Sequence, residues 1–259
     1  MSIQTELELA TKKMIKEIDG FVYEKKEIKL AKLTENNVAI VEAMIRNDSA
    51  YIKSSDTKAE PRYKKNGEII YGGSTAYWMT KLKKYLLSNN QDQNDYKEII
   101  KNAVNAVDRE NSTHINSDKY GRSEITERIL KIDKNELVQS LKEPSYKNML
   151  LFNEIARKTS APTKARVNIS FGSKFCHYAC YYLFEGENAQ DNYSIYDNIV
   201  RTVLPWYLTY YKIPLKNFNL EKYEEYRMAI DEIRYKSSNN PISRNGFDHL
   251  LWYFHKGRL

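Results

Sequence analysis

A chain of 259 residues is long enough for one large domain or two small ones, and an apolar fraction of 41% supplies ample core material. No apolar run approaches the length of a membrane span, and Met1-Ser-Ile-Gln-Thr-Glu6 lacks the basic-then-apolar pattern of a signal peptide, so a soluble, cytoplasmic protein is expected. The net charge of +7 permits an anionic partner; if the charge is clustered, a phosphate backbone is the natural one, because neutralising phosphates releases counterions.

Leu7, Met14, Ile15 and Ile18 predict a first helix, and Val38, Val41, Ala43 and Ile45 a second. Between them Phe21–Leu33 alternates loosely, as a short strand pair does. Asn66-Gly67 within Arg62–Tyr71 is a hairpin-type dipeptide and predicts a small β-ribbon. Trp78, Met79, Leu82, Tyr85 and Leu86 then recur at three and four residues, so a helix starts near Thr75, with Ser74 or Thr75 as its cap. Asn89–Asn94 is a predicted loop, Tyr96–Val107 resumes the helical period, and Asn111–Gly121 is polar and irregular.

Ser123–Leu130 and Asp133–Leu141 read as two short helices, with Asp133 as N-cap, Glu136 at the capping-box position and Pro144 closing the second. Met149–Arg157 is a further helix, followed by a turn over Thr159–Thr163. Phe171–Phe184 carries an apolar face and ends at Glu185-Gly186, and Glu187–Asn192 is a loop. Asp197–Tyr211 is expected to be bent or interrupted near Pro205; Glu221–Tyr235 and Arg244–Phe254 close the series. The fold class is mainly α, with a small β element in the N-terminal third.

Cys176 and Cys180 lie four apart on one predicted helix and read as small core residues, and no partner set is present for a metal. Asp248 and His249 are adjacent, so a Ser–His–Asp triad has no local support. Gly72-Gly73-Ser-Thr75 lacks the Lys-Ser/Thr pair of a phosphate loop. Tyr51–Tyr71 interleaves Lys53, Lys58, Arg62, Lys64 and Lys65 with Tyr51, Tyr63 and Tyr71. That mixture suits either a solvated loop or a segment that tracks a nucleic-acid backbone while stacking on bases.

The richest stretch is Ile169-Ser-Phe-Gly-Ser-Lys174, followed by Asp197 within Tyr193–Val200. A tight turn at Gly172 would deliver Lys174 into a helix start, and a carboxylate would stand where the next helix begins. Such an amine and carboxylate are the groups that form a Schiff base and stabilise an adjacent cation. Here the sequence resembles the helix–hairpin–helix DNA glycosylase superfamily, of the 8-oxoguanine DNA glycosylase-like kind. That family's hairpin typically reads Gly-x-Gly-x-Lys, with an essential aspartate at a helix start beyond. The resemblance covers Leu150–Leu215. It departs from the pattern at Ser170, which replaces the first glycine, and in a longer interval between lysine and aspartate, assigned to Glu187–Asn192.

The resemblance implies a base-excising enzyme acting on duplex DNA with a flipped base, without cofactor or metal, as a monomer, and nucleoid-associated if it binds DNA. Lys174 would be the nucleophile at C1′ and Asp197 the residue that activates it and stabilises positive charge. Ser170, Gly172 and Ser173, with Lys164 and Arg166, would contact DNA phosphates. His177, Tyr196, Trp206 and Trp252 are candidates for the base pocket, as are Phe152 and Phe254. The chain would be a single compact helical unit over 1–259, or one split into an N-terminal helical part, 1–145, and a hairpin-containing catalytic part, 146–259. The residues alone keep other readings open: a solvated lysine at a helix start, an ordinary N-cap at Asp197, and a packed histidine at 177. The alternative function is a non-catalytic DNA-binding or interaction module that retains the hairpin.

Overall fold

The computed structural model describes residues 12–23, 28–55, 62–63, 69–71, 75–88, 92–111, 113–115, 118–145, 149–162 and 165–256. In chain order the elements are α1 (residues 12–17), β1 (Gly20–Tyr23), β2 (Ile28–Ala31), α2 (Glu35–Ser55), β3 (Arg62–Tyr63), β4 (Ile69–Tyr71), α3 (Thr75–Leu86) and α4 (Gln93–Glu110). A π-type turn (Asp118–Arg122) leads into α5 (Ser123–Leu130), α6 (Lys134–Lys142), α7 (Leu150–Ala156) and α8 (Ile169–Leu183). After a 3₁₀ turn (Asn188–Asp191) come α9 (Asn198–Tyr210), a second 3₁₀ turn (Leu215–Asn217), α10 (Tyr223–Ser237) and α11 (Arg244–His255). The protein is mainly helical with two small antiparallel ribbons, β1–β2 and β3–β4. Among the described residues no helix is long and apolar enough to cross a membrane.

The chain divides into two compact units, Lys58–Ile195 and a discontinuous one made of Met1–Thr57 with Tyr196–Leu259. The expected boundary between residues 145 and 146 is therefore not where the chain divides. The C-terminal helices share a core with the N-terminal ribbon and α2, and no local periodicity encodes that pairing of distant segments.

In the discontinuous unit β1 and β2 pair from Gly20 opposite Ala31 to Tyr23 opposite Ile28. Asn37, fully buried, ties the ribbon to α2: its amide group donates to the carbonyls of Asp19 and Lys32 and its oxygen accepts from the Asp19 N–H. Tyr207 of α9 is buried beneath β2, and its hydroxyl accepts from the Ala31 N–H at 2.8 Å. The same hydroxyl lies 3.1 Å from Nε2 of buried His255. Burial pushes the Tyr207 phenol far above its ordinary range. Of the bend or interruption expected at Pro205, an interruption does not occur: α9 continues through the proline, forgoing one helical hydrogen bond while Val203, Leu204, Tyr207 and Leu208 stay buried. α11 packs on α2 at Gly246, where a Cβ would stand 2.9 Å from a Val38 methyl.

The continuous unit is built around α8. Phe171, Phe175, Cys176, Ala179, Cys180 and Leu183 are buried, and so are Gly172, Ser173 and His177, so apolar surroundings envelop the helix rather than one stripe of it. α3 and α4 form an antiparallel pair in which Tyr85 and Tyr96 stack, centroids 5.0 Å apart. α4 starts earlier than its apolar period indicates, because the Asp92 carboxylate accepts from the Asn94 and Asp95 N–H groups and so caps the helix. Asp133 caps α6 in the same way, as its sequence context predicts. Both cysteines are free and buried, and burial raises both thiols well above their usual range.

Candidate functional site

Gly172 is not in a turn. α8 begins at Ile169, so Gly172 sits within its first turns, and its N–H donates to the Asn168 carbonyl at 2.8 Å. Its missing side chain serves helix packing instead: a Cβ there would stand 2.9 Å from the Ala156 Cβ and 3.2 Å from the Phe152 ring. Ser173 is fully buried, with its hydroxyl donating to the Ser170 carbonyl. The amides that an α8 anion contact would use are therefore those of residues 169–171, ahead of the predicted Gly172–Ser173 pair. The N-cap Asn168 makes no side-chain capping bond to them.

Lys174 lies in the second turn of α8 and is only 8% exposed. Its Nζ donates to the main-chain carbonyl of Asn111, the C-cap of α4, at 2.9 Å. One turn later on α8, the Tyr178 hydroxyl donates to Asn111 Oδ1 at 2.8 Å. Asn111 in turn donates from both its N–H and its side-chain amide to the Val107 carbonyl. The residues after Asn111 are anchored by Asp108, whose carboxylate accepts from the Thr113 hydroxyl, the Ile115 N–H and Arg122 Nε. Burial pushes the Asp108 carboxyl up, but these hydrogen bonds and the Arg122 charge outweigh it and hold the group below its usual range. His114 between them has φ +57°, a left-handed conformation uncommon outside glycine.

Arg166, predicted to meet phosphate, is exposed, and its Nη2 donates to the carbonyls of Thr113 and His114. Lys164 lies outside the described residues, as do the Asn66-Gly67 dipeptide and most of the Tyr51–Tyr71 segment. Tyr51 and Lys53 of that segment belong to α2 rather than to a loop. His177 is buried with Nδ1 2.8 Å from the Tyr193 carbonyl and its ring beside Tyr178 and Tyr181. It is the packed, hydrogen-bonded histidine that its position on an apolar helix suggests.

The other predicted residues belong to the discontinuous unit. Asp197 is the N-cap of α9, its carboxylate accepting from the Ile199 N–H at 2.8 Å. Its own N–H donates to the hydroxyl of Tyr226, a fully buried phenol that burial first and the Asp248 charge next hold far above its ordinary range. Tyr196 is nearly buried, its hydroxyl on Glu221 and its ring edge-on to Tyr226 at 4.9 Å. Trp206 and Trp252 are half-buried: Trp206 lies 6.2 Å from the His255 ring, and the Lys256 amine stands 3.9 Å above Trp252. Phe152 and Phe254 are core residues. Among the described residues no group of three or more His, Cys, Asp or Glu is placed to hold a metal ion.

Asn111, Tyr178 and Asp108, which surround the amine or anchor its partner, lie outside the residues that the sequence motif singles out. Tyr178 had a usable signal, its i,i+4 spacing from Lys174; the other two come from α4 and have none in the motif. Comparison with protein-family models, with curated proteins and with solved structures returns no match for this chain.

Proposed function

We propose that this protein is a DNA base-excision enzyme that cleaves the N-glycosidic bond of a damaged or modified nucleotide, with Lys174 as nucleophile. The observation that carries the reading is the Lys174 amine itself. Lysines are almost never buried, yet this one stands in the central helix of its unit at 8% exposure. The basic connection between α7 and α8 supports a nucleic-acid substrate, since Arg157, Lys158 and Arg166 are exposed there. The uncapped start of α8 offers amides to a phosphate beside them.

In the proposed chemistry the neutral amine of Lys174 attacks C1′ as the C1′–N bond breaks, and the base departs with the bonding pair and takes up a proton. The nitrogen then gives up one proton, and its lone pair expels the ring oxygen, which takes up a proton as the sugar opens to a protonated imine. Elimination of the 3′ phosphate, or hydrolysis by water, follows from that intermediate. By the motif resemblance, Asp197 is the residue expected to activate the amine and to counter positive charge at C1′.

Lys174→Gln is expected to abolish borohydride trapping of the protein on an oligonucleotide containing the target lesion. Asp197→Asn retains a good N-cap residue and so should spare folding and DNA binding while abolishing base release. Undiminished activity in both variants would refute the assignment. Salt-dependent binding to any duplex with no alkali-labile product would instead identify a binding module without chemistry.

A further inference from the structure

Lys174 is a flexible side chain, and an amine on four methylene groups reacts efficiently only if something fixes where it stands. The residue that does so comes from α4, outside the segment that carries the lysine. All four polar atoms of Asn111 are engaged: the main-chain carbonyl by Lys174 Nζ, Oδ1 by the Tyr178 hydroxyl, and the N–H and side-chain amide by the Val107 carbonyl. Lys174 and Tyr178, one turn apart on α8, thus grip one residue of α4 from the same side. The chain beyond Asn111 cannot drift, because Asp108 accepts from Thr113 and Ile115 and Arg166 binds the carbonyls of Thr113 and His114.

We infer that Asn111 is the positioning residue for the Lys174 amine. Its main-chain carbonyl sets the amine's place, and the Tyr178 hydroxyl, bonded to Asn111 Oδ1, holds the residue in register with α8. Asn111 touches no reacting atom in this scheme; its effect passes through Lys174. The inference rests on the assignment of Lys174 as nucleophile for its catalytic meaning, while the geometry it describes is tested without DNA.

The first measurement acetylates the full-length, DNA-free chain with limiting acetic anhydride and reads, by peptide mass spectrometry, the rate at Lys174 relative to exposed Lys158. Tyr178→Phe removes a single hydroxyl and keeps the ring; Asn111→Ala removes both side-chain bonds. Each should raise the relative rate at Lys174 by about fivefold, the change that loss of one ordinary hydrogen bond produces. Circular dichroism and Tm of Tyr178→Phe should stay near those of the wild type, so that unfolding does not account for the change. Relative rates unchanged in both variants would overturn the inference.

In a second measurement, single-turnover borohydride trapping by Tyr178→Phe should slow by about fivefold at unchanged DNA affinity, as loss of position rather than of binding requires. A loss confined to DNA affinity would also overturn it. Absence of trapping in the wild type would count against base excision alone, because the acetylation result stands without DNA.

Discussion

A carboxylate with 2% of its side chain exposed takes up a proton unless its surroundings repay the lost hydration. Asp108 is repaid three times, by the Thr113 hydroxyl, the Ile115 N–H and Arg122 Nε at 2.6 Å, and its carboxyl is held below the usual range. A group whose folded pKa is depressed contributes stability that is complete above the unfolded value, near 3.8, and is lost as pH falls through the folded one. Asp108→Asn keeps the shape but presents an amide to donors. It should cost about 2–4 kcal/mol at pH 7, most of it from the Arg122 charge left without its partner. Urea unfolding at pH 7 and again at pH 3 checks this. The gap between wild type and variant should narrow at the lower pH, and a gap that stays constant would mean that the charge on Asp108 does not matter.

Elements were legible where one apolar face decides the structure and illegible where burial overrides local preference. The run of Trp78, Met79, Leu82, Tyr85 and Leu86 was enough to place α3, and Asp133 was enough to start α6. Gly172 misled, because glycine ordinarily punctuates a chain, whereas here it is the contact point that lets α8 close on α7. Read as a turn, that one residue moves the apparent helix start to Lys174, whereas α8 begins at Ile169.

The two roles of Gly172 separate experimentally. Alanine favours a helix over glycine by about 1 kcal/mol, so in an open helix Gly172→Ala would stabilise. Against Ala156 Cβ at 2.9 Å, an atom that cannot swing aside, it should destabilise by about 1–3 kcal/mol, and adding Ala156→Gly should recover much of that loss. Chemical denaturation of the single and double variants reads both. A turn that holds phosphate predicts instead a loss of DNA affinity at unchanged stability.

At the scale of the whole chain, the class of fold was readable and its partition was not. Helical periodicity reports which face of a segment is buried but never against what. Tyr207 carries no mark that its hydroxyl will accept from Ala31, and nothing near Gly246 says that Val38 will fill the space beside it. The surroundings of Lys174 were half legible for the same reason: the lysine stands out by type and place, whereas Asn111 is a polar residue in an irregular stretch until α4 and α8 are packed together.

Charge is the other property of the whole chain, and a net +7 states no location for it. If the α7–α8 connection is what meets DNA, duplex affinity should fall steeply with salt, with a log–log slope of about −3 to −5 for a handful of phosphate contacts. Lys158→Ala, which removes an exposed cation from that connection, should make the slope shallower by about one. Lys174→Gln should leave it unchanged, because an amine committed to Asn111 neutralises no phosphate. Fluorescence anisotropy between 50 and 300 mM salt, roughly the range over which such contacts are lost, measures all three slopes. A flat wild-type slope would remove the nucleic-acid partner, and an altered slope in Lys174→Gln would make that lysine a backbone contact rather than a nucleophile.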